Sequence, residues 1–330
     1  MLTIVCKEGE RLTHVDDSTA LPALLADRSR LFWLDLQSPT DGEFALLSSV
    51  FHFHPVAIED AMRPHQRPKV DEYDGYFFLT ADEVTLNANA LGKSTPGEPD
   101  REDVQSRQMS MFLGPNYLVT VQINPIEAVR NLRGRCEHNQ RVLEQGPDYL
   151  LYALLDILVD GYFPLLDSLD DIMDDLEDLV VGRPEHSTLE TIFRMKHDLT
   201  RLRRFVGPLR DVVQTLTSRD FPNIQPHTLP YLRDVADHLF RIYEMLDGHR
   251  DLMSNMLDAY MSQVANEMNR VMQRLAVVGT VFLPITFLTG VFGMNFANQP
   301  WLNTSPWLWL IVMGGIGVLT LWWFHRRQWV

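Results

Sequence analysis

From Leu275 to Phe324 the chain carries no Asp, Glu, Lys or Arg, although its formal net charge is −15 over 330 residues. That stretch is interrupted once, by Gly293-Met294-Asn295-Phe296-Ala297-Asn298-Gln299-Pro300, which leaves two apolar segments. A helix of about 20 apolar residues spans the hydrocarbon core of a bilayer, and both segments reach that length. The last residues, His325-Arg326-Arg327-Gln328-Trp329-Val330, add a basic stop and an interfacial Trp. Such a chain is a membrane protein with most of its mass in water.

Orientation follows from charge. Arg270 and Arg274 precede the first span, Arg326 and Arg327 follow the second, and residues 295–306 between them are uncharged. The positive-inside rule then expects both termini in the cytoplasm and the connecting loop outside, in the cell's inner (plasma) membrane. The N-terminus, Met1-Leu-Thr-Ile-Val-Cys-Lys-Glu, lacks the basic-then-apolar pattern of a signal peptide, which keeps residues 1–268 on the same side. Cys6 and Cys136 have no CxxC partner, as expected of a reducing compartment. The acidic balance argues against a nucleic-acid surface and suits a body that concentrates cations.

Residues 1–145 read as α/β. Residues 31–36, 76–80, 109–113 and 117–122 have strand character, the last two joined by the turn signal Gly114-Pro115-Asn116. Ser38-Pro39-Thr40-Asp41 reads as a helix start, and residues 87–103 as a loop by composition. From Pro147 the period becomes helical. Leu165, Leu166, Leu169, Ile172, Met173, Leu176, Leu179 and Val180 form one stripe, ended by Gly182-Arg183-Pro184. A second helix runs over 185–218. A third carries Leu232, Val235, Leu239, Ile242, Leu246, Met253, Met256 and Tyr260, with His249 the interruption. Nothing before Pro284 breaks it, so a helix over 231–293 would be on the order of 95 Å long. Pro284 is tolerable inside a span where neighbouring helices compensate, and Gly314, Gly315 and Gly317 allow close packing of the second span.

On the long helix, Asn269, Met272, Leu275, Gly279, Leu283, Thr286 and Gly290 share one face at heptad-like steps. A coiled-coil seam and a pore lining both fit that period. Asn269, Thr286 and Gly290 favour a lumen, since a dry seam has little use for them. Two spans alone enclose no pathway, so a transport role requires an oligomer.

Residues 266–296, which end in Gly293-Met294-Asn295-Phe296, resemble the pore helix of CorA-type divalent-cation channels, whose hallmark is Gly-Met-Asn at the outer end of the first of two spans. Phe51-His-Phe-His-Pro-Val-Ala-Ile-Glu-Asp-Ala, residues 65–79, Asp148-Tyr-Leu-Leu-Tyr-Ala-Leu-Leu-Asp and Leu232-Arg-Asp-Val-Ala-Asp-His are also similar to that family, so the resemblance covers residues 30–330. It implies an α+β membrane protein that forms a funnel-shaped homopentamer. Its parts would be a cytoplasmic α/β domain over 1–145, a helical stalk over 146–268 and a transmembrane hairpin with the pore helix over 269–330. It implies a selectivity filter of Gly293, Met294 and Asn295 and a pore lined by the seven-residue stripe, with Met272 and Leu275 as the constriction that closes by dewetting. It implies a non-enzymatic carrier of Mg²⁺, with Zn²⁺, Co²⁺ and Ni²⁺ as alternatives on the same architecture. It also implies a regulatory metal site between subunits, matched here by Asp234 and His238 with Asp237 adjacent. The bilayer, divalent cations and further copies of the chain are the expected partners.

A physical case for Asn295 stands beside the resemblance. Mg²⁺ gives up its water reluctantly, and neutral amide oxygens can grip the hydrated ion without stripping it. Gly293 lets the backbone turn where a side chain would crowd it; the plainer reading of Gly-Met-Asn is a helix C-cap. Two departures from the family stand out. Thr85 to Ala90 lacks the acid expected opposite the regulatory site, with Asp82 and Glu83 falling earlier. The outer loop Ala297-Asn298-Gln299-Pro300-Trp301-Leu302 has no carboxylate.

Other signals rank lower. Asp170-Asp171-Ile-Met-Asp174 and Asp174-Asp175-Leu-Glu-Asp178 spell the DDxxD of isoprenoid synthases, but they overlap on one helix, where a solvated acidic face is the better reading. His52 and His54 form a His-x-His on a possible strand that could ligate a metal, but without a third ligand in register ordinary loop or partly buried histidines are the better reading. Arg201, Arg203 and Arg204 read as an intersubunit or solvent face. A non-conducting membrane scaffold would share the fold.

Overall fold

Alternation of apolar residues builds a mixed sheet from β1 (Leu2–Glu8), β2 (Arg11–Val15), β3 (Phe32–Gln37), β4 (Lys69–Tyr73), β5 (Tyr76–Leu86), β6 (Val104–Leu113) and β7 (Tyr117–Gln122). This computed structural model describes residues 1–8, 11–15, 17–63, 67–86, 104–139, 141–182, 185–219, 221–294 and 306–327. The loop read at 87–103 and the terminal Trp329 lie outside them. The strand order is β2-β1-β3-β7-β6-β5-β4, and β3–β7 is the one parallel pairing among the described residues, with Asp35 opposite Thr120 and Gln37 opposite Gln122. The turn between β6 and β7 needs glycine, because a Cβ on Gly114 would fall inside the Tyr117 ring. Asn116 then ties that turn to Leu24 O and Asp27 O at 3.1 Å and to Arg30 O at 3.2 Å.

One face of the sheet presents Phe32, Leu34, Leu36, Val119 and Val121 to a core completed by Phe44, Leu47, Phe51, Phe53 and Ala57. After the short α1 (Leu21–Ala26) and β3, Phe44 and Leu47 come from α2 (Asp41–Ser49), Ala57 from α3 (Pro55–Met62), and Phe51 and Phe53 from the connector between those two helices. A capping box of Thr40 and Glu43 starts α2 and satisfies donors that a helix N-terminus leaves open. The other face carries Trp33, Asp35, Thr120 and Gln122, since successive side chains alternate. There α4 (Glu127–His138), which follows β7, sends Arg133 to Asp35 at 2.6 Å. Both faces are therefore covered, and every residue of β7 is buried.

His52 and His54 are ordinary connector histidines, and only the possible strand is corrected here. His52 sits in a turn at φ 56°, where its Nδ1 lies 3.1 Å from Ser48 O. His54 caps α3, its Nδ1 accepting from Val56 N at 3.3 Å. The strand reading fails because Pro55 opens a helix, a position suited to its fixed φ.

After the short α5 (Arg141–Glu144), helices α6 (Pro147–Asp160), α7 (Tyr162–Val181), α8 (His186–Ser218) and α9 (Leu229–Phe292) follow. Leu165, Leu166, Leu169, Met173, Leu176 and Val180 of α7 are buried, while Leu179 is exposed. All eight apolar stripe residues of α9 from Leu232 to Tyr260 are buried. His249 is held by Asp170 of α7 at 2.7 Å. Arg203 is a clamp between α8 and α9 rather than a free basic face: it pairs with Asp247 at 3.0 Å and donates to Tyr243 Oη. Met1–Leu179 with His186–Met256 form one compact unit, and Val180–Glu185 with Leu257–Val330 form a second.

Asp82, on β5, is 1% exposed and its Oδ2 has no hydrogen-bond partner. Burial pushes its carboxyl up to about 7 from 3.8, so the folded chain keeps a proton that the unfolded chain releases. Its contribution is most favourable below pH 3.8 and falls as pH rises towards about 7, by about 1.4 kcal/mol per pH unit. Asp82→Asn should therefore raise the unfolding temperature at pH 8 and leave it nearly unchanged at pH 4. Equal shifts at both values would contradict a buried titrating carboxyl.

Candidate functional site

The most apolar stretch of α9 is almost wholly exposed, whereas the other apolar stretch of comparable length, within residues 147–181, is mostly buried. A charge-free helix surface left bare in a single chain needs lipid or further protein around it. Asn269, Met272, Leu275, Gly279, Leu283, Thr286 and Gly290 are all exposed together on this helix, with Leu275 at 66% and Leu283 at 72%. Pro284 lies inside the continuous helix, as anticipated.

The hydroxyls on this helix behave differently by face. Thr280 donates to Ala276 O and Thr289 to Ile285 O, each at 2.8 Å, the back-bonding that hides a hydroxyl from lipid. Thr286, on the stripe, donates no such bond among the described residues. Its hydroxyl is available to whatever the stripe faces.

α9 closes at Phe292. Gly293 N bonds Thr289 O at 2.9 Å and Met294 N bonds Val291 O at 3.3 Å. Gly293 is not among the described glycines with positive φ, so it is not the left-handed C-cap glycine of the plainer reading. A Cβ there would lie 3.2 Å from Thr289 O, a tight contact that a small shift would have to relieve. Gly293 and Met294 are both exposed. Asn295 and the loop to residue 305 lie outside the described residues.

α10 (Pro306–Arg326) supplies the second apolar segment. Of its three glycines, Gly317 faces α9, where a Cβ would meet Ile285 Cδ1 at 3.7 Å, while Gly314 and Gly315 have nothing within 4 Å. Arg326 and Arg327 at its basic end lie over the Trp322 and Trp323 rings, at 5.5 and 5.4 Å.

Asp234 and Asp237 are exposed and His238 half-buried, near the start of α9. His238 Nδ1 lies 3.7 Å from Asp160 Oδ1 and its ring meets Phe163 edge-on at 5.7 Å. Asp156 joins this acidic corner: burial, then the Asp160 charge, push its carboxyl up, against Arg135 at 3.6 Å. Tyr152 beside it is raised to about 12, by burial and then by Asp156. Asp156 and Asp160 escaped the sequence reading because both fall on α6, whose apolar run hides their common side. Among the described residues, no three His, Cys, Asp or Glu side chains are placed to hold a metal ion. A site here would need ligands from outside this chain.

The DDxxD carboxylates Asp171, Asp174, Asp175 and Asp178 are exposed along α7, opposite its buried stripe, and Asp170 is taken by His249. They form a solvated face.

A family model described as "CorA-like Mg2+ transporter protein" matches residues 28–326. The cobalt/magnesium transport protein CorA of Thermotoga maritima is 36% identical over 98% of this chain and 90% of its own length. The putative metal ion transporter YfjQ of Bacillus subtilis is 33% identical over 90% of this chain and 89% of its own. The complete structure of the CorA magnesium transporter from Methanocaldococcus jannaschii covers 100% of this chain and 99% of that one, with a TM-score of 0.83 at 21% identity. The full-length CmaX protein follows at a TM-score of 0.74 and 22% identity, over 99% of this chain and 97% of that one.

Proposed function

Because the chain belongs to the family of CorA-like Mg²⁺ transporter proteins, and is thus a divalent metal-ion transporter and no enzyme, we propose that it conducts Mg²⁺ through an axial pore in a homopentamer. The pore helix is α9. The stripe from Asn269 to Gly290 lines the lumen, Met272 and Leu275 form the constriction, and Asn295 with Gly293 and Met294 forms the external filter. The membrane is the cell's inner membrane, with both termini in the cytoplasm. What supports this reading is an apolar helix surface, the seven stripe residues included, that its own chain leaves exposed up to Gly293-Met294. Packing within one protomer would have buried it, so it meets lipid or further copies.

Flux follows the electrochemical gradient. An inside-negative potential contributes about 2.3 kcal/mol per charge per 100 mV, and twice that for a divalent ion. Asp234, Asp237 and His238 are one protomer's share of a regulatory metal site, completed by a neighbouring copy.

Proteoliposomes loaded with fluorescent reporters for Mg²⁺, Zn²⁺, Co²⁺ and Ni²⁺ test the reading. Mg²⁺ should enter fastest and accelerate as the interior is made more negative. Zn²⁺ outpacing Mg²⁺ would reassign the cargo on the same architecture. No flux of any divalent ion would leave a scaffold.

A further inference from the structure

The carboxyl ends of β3 and β7 border a cleft that ion conduction does not use. The chain leaves β3 for α2 on one face of the sheet and leaves β7 for α4 on the other. Parallel strands whose connections part in this way open a crevice beyond their carboxyl ends, where open α/β sheets take ligands. Here the crevice is partly open to solvent and offers about 210 Å³.

Its lining runs against the composition of the chain. In a protein of net charge −15, Arg107 of β6 and Arg130 and Arg133 of α4 all border this one space. The carboxylates beside them are already engaged. Asp35 accepts from Thr120 Oγ1 at 2.7 Å, Gln122 Nε2 at 2.9 Å and Arg133 Nη2 at 2.6 Å. Glu127 pairs with Arg130 at 2.7 Å on the exposed rim. Donors remain unused: Arg133 Nε is buried without a hydrogen-bond partner, and Arg107 commits Nη1 to Pro125 O at 3.0 Å out of its five N–H groups. A buried donor left unmet is unfavourable until an acceptor arrives.

We propose that this cleft binds a phosphoryl-bearing small molecule, with Arg107, Arg130 and Arg133 taking its oxygens. Planar guanidinium forks match phosphoryl oxygens two at a time, and the volume admits a diphosphate group.

Calorimetric titration of the detergent-solubilised full chain, in metal-free buffer at about 0.15 M salt, tests this with inorganic phosphate, pyrophosphate, ADP and sulfate. At least one phosphoryl probe should bind. Arg107→Gln and Arg130→Gln should each weaken it by about tenfold or more. Glu127→Gln should tighten it, because the rim carboxylate no longer competes for Arg130. ADP binding tighter than pyrophosphate assigns a nucleotide, and equal binding assigns the inorganic group. The proposal is overturned if no phosphoryl probe binds, if sulfate binds as tightly, or if both arginine variants bind like the wild type while melting normally.

Discussion

Asn295→Ala should reduce Mg²⁺ uptake into proteoliposomes by at least about tenfold, since each protomer loses a hydrogen bond worth about 1 kcal/mol to the hydrated ion. In the proposed filter the neutral amide oxygens would act on the water shell of the ion. Asn295→Asp should bind Mg²⁺ more tightly and conduct it more slowly, because a carboxylate ring holds the ion too well for release. Asn295→Gln keeps the amide on a longer arm and should retain part of the flux. Met294→Ala should have the smallest effect of the series. Uptake by Asn295→Ala at the wild-type rate would remove the amide ring from the mechanism, while the family assignment would stand.

The second large effect concerns stability. Asp35 is 1% exposed and is held by Thr120, Gln122 and Arg133. Burial pushes its carboxyl up, and these three partners oppose the shift. Asp35→Leu strands the Arg133 guanidinium and leaves two further donors unmet. Breaking one side of such a pair destabilises by about 3–5 kcal/mol. Arg133 retains 24% exposure and can reach some water, which places the loss near about 3 kcal/mol. The melting temperature of the solubilised chain should fall by about 10 °C. Asp35→Leu with Arg133→Leu should recover most of that, since removing both charges leaves neither uncompensated. A single variant that melts with the wild type would show that the pair is solvated.

Much of this architecture was legible in residue order. The strands at 31–36 and 117–122 announce themselves through mainly apolar runs, broken by Asp35 in one and by Thr120 and Gln122 in the other, as strands covered on both faces do. The α7 and α9 stripes were legible because a burial period of three and four is the same in sequence and in space. β1 and β2 were not read, nor was β4, whose Lys69-Val-Asp-Glu-Tyr is mostly charged and whose place is secured by pairing with β5. His52 and His54 were legible as ordinary histidines of a connector, but the possible strand there overlooked Pro55, which signals a helix start. The stripe from Asn269 to Gly290 was legible as a face, but period alone does not say what a face meets. The arginine cleft was invisible for a topological reason: Arg107 and Arg133 meet through strands and helices that sequence spacing does not bring together.

Gly317 carries a consequence of its own. Where Ile285 nears α10, Gly317 presents only hydrogen, and a Cβ there would rest 3.7 Å from Ile285 Cδ1, in ordinary contact. Alanine therefore fits between the two helices, whereas a larger side chain would have to displace Ile285 or part them. The spacing of this pair sets a ceiling on side-chain size that hydropathy alone does not reveal.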